Sequence, residues 1–309
     1  MATKPPARAW LTRNLIVLTL VSLTQDAASE LIYPLLPLFV TGVLVAPPVV
    51  LGVVEGVAEA TAGITKYVSG RWSDTAGRKP FVAWGYGFAA VGKVLVAASV
   101  AWPMLLAGRV VDRFGKGMRS APRDALIAQS TPPADYGKAF GFHRAGDTFG
   151  AVIGPLLGLL ALTLLNGNVR AAMWWAVVPA VASVLLVLLV REVRAPRAPR
   201  AEAAVRAERR RMRWSLRRAE RGDGLLDSPL PSQFWRVASV LVVITIVNFP
   251  DALLLLRLID IGFSTTAMIL AYVGFNLVYT LGAYPAGALA DRWPRPVVYA
   301  VGLAAFVVG

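Results

Sequence analysis

The chain has 309 residues, of which 56% are hydrophobic, with a mean hydropathy of +0.59 and a formal net charge of +14. It holds no cysteine and one histidine, which excludes disulfides, thiolate metal sites and His-rich metal sites. Apolar runs such as Phe81 to Ala101 and Ala171 to Val190 approach or exceed the ~20 residues that a helix needs to cross a bilayer core.

Inside hydrocarbon every backbone N–H and C=O must be bonded internally, so runs this long form helices. The alternating segments of about ten residues that mark a membrane β-barrel are not visible. The fold class is an all-α membrane protein. A basic excess could suit a nucleic-acid binder, but its distribution argues otherwise. Twelve arginines fall between Arg191 and Arg221, and most other basic residues sit in short segments between apolar runs. That is the positive-inside pattern, which sets topology rather than reading bases. No nucleic-acid partner is expected.

In chain order, Met1 to Arg13 is short and basic and runs into an apolar segment holding Asp26 and Glu30 rather than a cleavage site. It reads as the entry to a first transmembrane helix, not a removed signal peptide. Apolar spans predict helices over about 15–43, 48–70, 79–100, 102–127, 138–165, 170–190, 233–258 and 264–289, with a ninth starting near Pro296. The segments 1–13, 71–79, 191–222 and 292–295 are rich in Lys and Arg, whereas the turns at 44–48 and 100–103 carry no charge. The alternation places the N-terminus and the central segment in the cytoplasm. Three regions follow: a six-helix bundle over 1–190, an Arg-rich cytoplasmic linker over 191–232, and a partial second bundle over 233–309. From Ala201 to Arg221 the linker favours helix, either solvated or lying on the anionic leaflet through Met212, Trp214 and Leu216.

Shifting the chain by 217 residues brings Tyr67, Gly70, Asp74 and Arg78 onto Tyr284, Gly287, Asp291 and Arg295. Each set ends the second helix of its block, which indicates parallel repeats. The run Gly70-x-x-x-Asp74-x-x-Gly77-Arg78-Lys79-Pro80 resembles the signature between helices two and three of the major facilitator superfamily. Its second copy, Gly287 and Asp291 followed by Arg292, departs from it with Pro294 in place of glycine. Leu105 to Arg109 resembles the intramembrane arginine motif of that family, departing at Arg113 where glycine is usual. Gly150-x-x-x-Gly154-Pro155-x-x-Gly158 resembles the helix-five signature of its antiporters, and also suits simple close packing.

The resemblance implies a two-bundle fold with the first six-helix bundle complete. The second is partial, at about eight full helices in all plus the start of a ninth, so the chain reads as C-terminally truncated. It implies that Asp291 locks the cytoplasmic side by facing the start of helix five, near Tyr136 to Ala139. It also implies that Asp74 would need an eleventh helix as its partner.

Ionisable groups at membrane depth are costly and mark function by default. Asp26 and Glu30 share a face of helix one, and Glu55 and Glu59 a face of helix two. Helix four holds a stripe of Arg109, Asp112, Arg113 and Lys116, helix five holds His143, Arg144 and Asp147, and helix seven holds Asp251 and Arg257. Asp26 and Glu30 opposite Arg109 form the leading proton-coupling set, against the alternative of permanent salt bridges. Pro34 and Pro37 are expected to bend helix one.

The function expected is secondary transport of a small solute by alternating access, coupled to protons as antiport or efflux. Symport uptake and a non-transporting receptor or assembly protein on the same fold are the alternatives. No nucleophile–base pair or nucleotide loop appears, so no enzyme activity and no cofactor is expected. The partners expected are the solute, protons and the lipid of a bacterial inner membrane.

Overall fold

The computed structural model describes residues 10–191, 236, 239 and 251–308, and among them the only regular structure is helical. Helix α1 spans Arg13–Val43, α2 Val49–Ala76, α3 Arg78–Ala97, α4 Trp102–Ser130, α5 Tyr136–Leu164 and α6 Val169–Val187. Beyond them lie α7 at Asp251–Asp260, α8 at Thr265–Ala290 and α9 at Arg295–Val308. The described residues 10–191 and 251–308 belong to one compact unit. The expected linker helix and residues 233–235, 237, 238 and 240–250 of the expected seventh helix lie outside the described residues.

Helix starts follow local chemistry. The Thr12 side chain accepts from Leu15 N to open α1, Asn168 accepts from Ala171 N to open α6, and Ser264 accepts from Ala267 N to open α8. Pro34 and Pro37 each remove an N–H from the ladder, and α1 past Ile32 breaks accordingly. It passes through a 3-10 turn at Tyr33–Leu35, one α turn at Leu36–Leu38 and a widened turn at Phe39–Val43. The Thr41 hydroxyl donates to the Pro37 carbonyl at 2.8 Å within that stretch.

Two expected boundaries are corrected. The second helix does not end at residue 70 but continues to Ala76, and the chain turns at Gly77, whose φ of 92° admits no side chain cheaply. Asp74 therefore sits in the last helical turn rather than in a loop. The sixth helix is interrupted between Trp174 and Val177.

Among the described residues five helices, α1, α3, α5, α6 and α8, are long and apolar enough to cross a membrane. Helices α2 and α4, at 28 and 29 residues, are as long but carry more charge. Close pairs are α3 on α4, α2 on α4, α1 on α5 and α8 on α5, with α6 against α1 and α3. Glycines set the seams. A Cβ at Gly154 would meet the Ala27 carbonyl of α1, and one at Gly150 the Leu23 carbonyl.

Two apolar clusters occupy opposite ends of the bundle. One joins Leu15, Leu18, Val82, Tyr86, Leu126 and Ala139. The other joins Leu35, Leu36, Phe39 and Val40 to Ala252, Leu255, Met268 and Ile269. Between them, α1 runs from Ser22 to Glu30 and carries its two carboxylates.

Candidate functional site

The charged side chains fall into two groups with different character. The first is closed on itself. Arg109 of α4 donates Nε to Glu55 Oε1 at 2.8 Å and Nη2 to Glu55 Oε2 at 2.6 Å, the planar fork matching the carboxylate of α2. Its Nη1 lies 3.5 Å from Asp112 Oδ2, and Asp112 Oδ1 accepts from Lys93 Nζ of α3 at 2.8 Å. Arg113 lies 3.2 Å from Glu59 and 3.8 Å from Glu55. Three cations thus meet three carboxylates across α2, α3 and α4. Glu55, Lys93, Arg109 and Asp112 are each at most 4% exposed. Cancelled and bonded in this way, the network ties three helices together.

Arg109 was expected opposite Asp26 and Glu30; it stands within reach of the Glu30 charge but is paired elsewhere. Its fork is occupied by Glu55 and Asp112, and neither α1 carboxylate forms an ion pair with it. Lys93 of α3 completes the network.

The second group lies between α1, α4, α5 and α8 and is open. Asp26 sits near Asp147 of α5 and near Lys116 and Arg119 of α4. Asp147 is held by Arg144 Nη1 at 3.1 Å and lies 3.9 Å from Arg123 Nη1. Arg123 also donates to Ser22 Oγ at 3.0 Å, and Ser22 pairs with the Tyr86 hydroxyl at 3.0 Å. Glu30 accepts from the Tyr272 hydroxyl of α8 at 2.7 Å. Among the described residues no basic group comes within ion-pair distance of Asp26 or Glu30.

Helix α8 contacts the first block at further places. The Tyr279 hydroxyl accepts from Arg144 Nε at 3.2 Å, and the Arg144 guanidinium lies over its ring at 5.2 Å. Asp291 accepts from Gly137 N at 2.6 Å and from Lys138 N at 2.8 Å. These are free donors in the first turn of α5, whose own N-cap Asp135 makes no side-chain cap bond. Gly287 and Gly141 allow the approach, since a Cβ on either would strike the opposite backbone. By contrast Asp74 is exposed and pairs with Arg78 at 2.9 Å. Nearer the other end, the Tyr33 hydroxyl accepts from Ala252 N of α7 at 3.0 Å.

The remaining expected residues lie apart from these groups. Asp251 and Arg257 are exposed, and among the described residues neither forms an ion pair. His143 is buried against Thr19 at 3.3 Å, a packing position between α1 and α5. Gly150, Gly154 and Gly158 face the α1 backbone rather than an opening. Of Gly70, Gly77, Arg78, Lys79 and Arg292, the first packs on Ala121 of α4, and Lys79 donates to the Leu188 carbonyl at 3.4 Å.

The family model for the Major Facilitator Superfamily matches residues 18–308. The chain belongs to the major facilitator superfamily. A relative described as an uncharacterised MFS-type transporter, from Methanocaldococcus jannaschii, is 28% identical over 94% of this chain and 70% of its own length. An uncharacterised protein of Mycobacterium tuberculosis is 29% identical over 94% of this chain and 68% of its own. Among solved structures, the D-xylose-proton symporter matches 90% of this chain and 69% of its own with a TM-score of 0.62 at 16% identity. A bacterial homologue of the human drug peptide transporters matches 58% of this chain with a TM-score of 0.51 at 15% identity, and this chain spans 42% of its length. At such identities the structures share the fold.

Membership of the superfamily makes this a multi-pass membrane protein, supports transport of a small solute, and points to a transporter rather than an enzyme. Within this facilitator fold, Tyr272, Tyr279 and Arg119 were not singled out from sequence. A tyrosine in an apolar run gives no signal of its own until a charged partner is found for its hydroxyl.

Proposed function

We propose that the chain forms the solute pathway of a proton-coupled secondary transporter in a bacterial inner membrane, with its N-terminus and central linker cytoplasmic. The observation that carries this reading is Glu30, a carboxylate at membrane depth with no cation at ion-pair distance and a hydroxyl donor from the other block. Glu55 and Asp112 are held in fixed pairs and have no free role to play. Glu30 and Asp26 lie outside those ion pairs and can gain and lose a proton, Asp26 against the neighbouring Asp147 carboxylate.

The groups facing Glu30 are Tyr272 from α8 and Lys116, Arg113 and Arg109 from α4. Asp26 faces Asp147 from α5, Lys116 and Arg119 from α4, and Glu30 on its own helix. A hydrogen bond to a charged group contributes about 1.5–3 kcal/mol and one between neutral groups about 1. Protonating Glu30 therefore weakens the Tyr272 contact and loosens α8 from α1. Closure at the cytoplasmic side is the Asp291 cap on α5, where carboxylate and helix dipole attract. At the other side the apolar cluster of α1, α7 and α8 closes the path. Alternating access then consists of breaking one closure while the other holds.

The sense of coupling follows from the charge of the solute. A cationic solute competes with the proton for Asp26 and Glu30, which gives exchange, the mode that the α5 signature suggests. An anionic solute binds better once these carboxylates are protonated, which gives cotransport, and the unpaired Lys116 beside Asp26 favours this second reading.

The test is reconstitution of the full chain in proteoliposomes with an entrapped pH-sensitive dye, challenged with a panel of small anionic, cationic and neutral solutes. The expected result is proton movement driven by one class. Glu30→Gln abolishes that movement but leaves exchange of labelled for unlabelled solute intact. Solute flux that ignores the proton gradient would overturn the reading.

A further inference from the structure

The basic residues of α4 at 109, 113, 116, 119 and 123 share one face of the helix, at 100° per residue. Three of the five have carboxylate partners at ion-pair distance, although Arg113 Nε is itself buried without a hydrogen-bond partner. Arg109 is paired with Glu55 and Asp112, Arg113 with Glu59, and Arg123 with Asp124 at 3.1 Å. Lys116 and Arg119 are different. Among the described residues neither has a carboxylate at ion-pair distance, and Lys116 Nζ makes no hydrogen bond. Arg119 is 4% exposed, lies over the Tyr86 ring at 4.6 Å and keeps Nη1 buried with no partner.

Lys116 stands 14 residues from either end of α4, about 21 Å along the axis. It lies far from both ends of the helix, and an ammonium facing hydrocarbon is costly. It is exposed, and its charged neighbours are Arg113 and Arg119 of α4, Glu59 of α2 and Asp26 of α1. A fold that neutralises every other cation on this face and leaves two adjacent ones bare has kept donors for a group that arrives from outside. An unpaired buried guanidinium costs several kcal/mol unless an anion joins it.

We propose that Lys116 and Arg119 form the anion-binding half of the solute site, taking the carboxylate or phosphate of a small organic anion. Lys116 supplies a point charge and Arg119 a directed N–H, with the Arg119 plane held by Tyr86. Asp26 competes for the same cations, so a solute oxyanion displaces its influence. The proposal rests on the transport reading above but is tested by binding alone, so either can fail without the other.

The experiment measures the thermal stability of the purified full chain in detergent against graded benzoate and phenyl phosphate at fixed ionic strength. Benzyl alcohol is the neutral control. Saturable stabilisation by at least one of the two anions and none by the alcohol is expected, and the anion that acts names the oxyanion. Lys116→Gln and Arg119→Gln should each weaken apparent affinity at least about ten-fold, the loss of one charge-assisted hydrogen bond. Lys116→Arg should retain most of it. Because Lys116 is exposed, its variants keep the test sound if Arg119→Gln fails to fold. Equal response to alcohol and anions, or an unchanged response in Lys116→Gln, would overturn the proposal.

Discussion

Asp291 and Gly137 stand 154 positions apart in the chain and meet at 2.6 Å, backbone N–H to carboxylate. The contact joins the end of α8 to the start of α5, and Lys138 N adds a second bond to the same carboxylate. Loss of a helix-capping carboxylate costs about 0.5–2 kcal/mol. Asp291→Asn keeps one acceptor but removes the charge that the helix dipole favours. In this cysteine-free chain, maleimide labelling of Ala283→Cys should be several-fold faster in the Asp291→Asn background. Equal labelling rates would mean that the cap does not hold α8 in place.

The charge network of α2, α3 and α4 makes a prediction about compensation. Lys93→Met leaves Asp112 short of its closest cation, and breaking a buried pair costs about 3–5 kcal/mol. Removing both partners in Lys93→Met/Asp112→Leu leaves Arg109 and Arg113 balanced by Glu55 and Glu59. The double variant should therefore unfold at a higher temperature than Lys93→Met alone in detergent. A double variant less stable than the single would show that Asp112 does more than answer Lys93.

The seam between α1 and α5 is sensitive to a single methyl group. A Cβ at Gly154 would press on backbone of α1, while one at Gly56 of α2 would meet nothing within 4 Å. Overpacking of this kind costs about 1–3 kcal/mol. Gly154→Ala should lower the thermal midpoint, and Gly56→Ala should leave it unchanged or raise it slightly through helix propensity. Equal effects of the two would remove the packing account of the α5 glycines.

Much of this arrangement could be read from spacing alone. Pro34 and Pro37 bend α1 because a missing N–H is a local matter. Asp26 and Glu30 share a face because four residues make about one turn. What spacing cannot supply is the rotation of one helix against another. That rotation gave Arg109 to Glu55 rather than to α1, and brought Lys93 to Asp112. The same limit hid Tyr272, whose hydroxyl matters only because α8 packs beside Glu30. The end of α2 was misplaced for a different reason. Gly70 reads as a stop, yet the residue that must adopt a positive φ is Gly77, and Gly70 serves instead as a contact with Ala121.

Tyr272→Phe removes the donor to Glu30 without changing the ring that lies 5.9 Å from Tyr33 and 6.5 Å from Phe275. With the fold preserved, solute-driven proton movement in proteoliposomes should persist but lose its tight coupling, so that more protons leak per solute moved. Unaltered coupling would place the second block's response elsewhere than Tyr272.

The central claim is that the charge on Glu30 holds α8 against α1 and that a proton releases it. Spin labels on Leu20→Cys of α1 and Val278→Cys of α8, both exposed positions, report the separation directly by pulsed electron resonance. The account predicts that acidification shifts the distribution to longer distances in the native sequence, and that Glu30→Gln shows the long distances at every pH. A native distribution that ignores pH, or a Glu30→Gln protein that follows pH as the native one does, would contradict it.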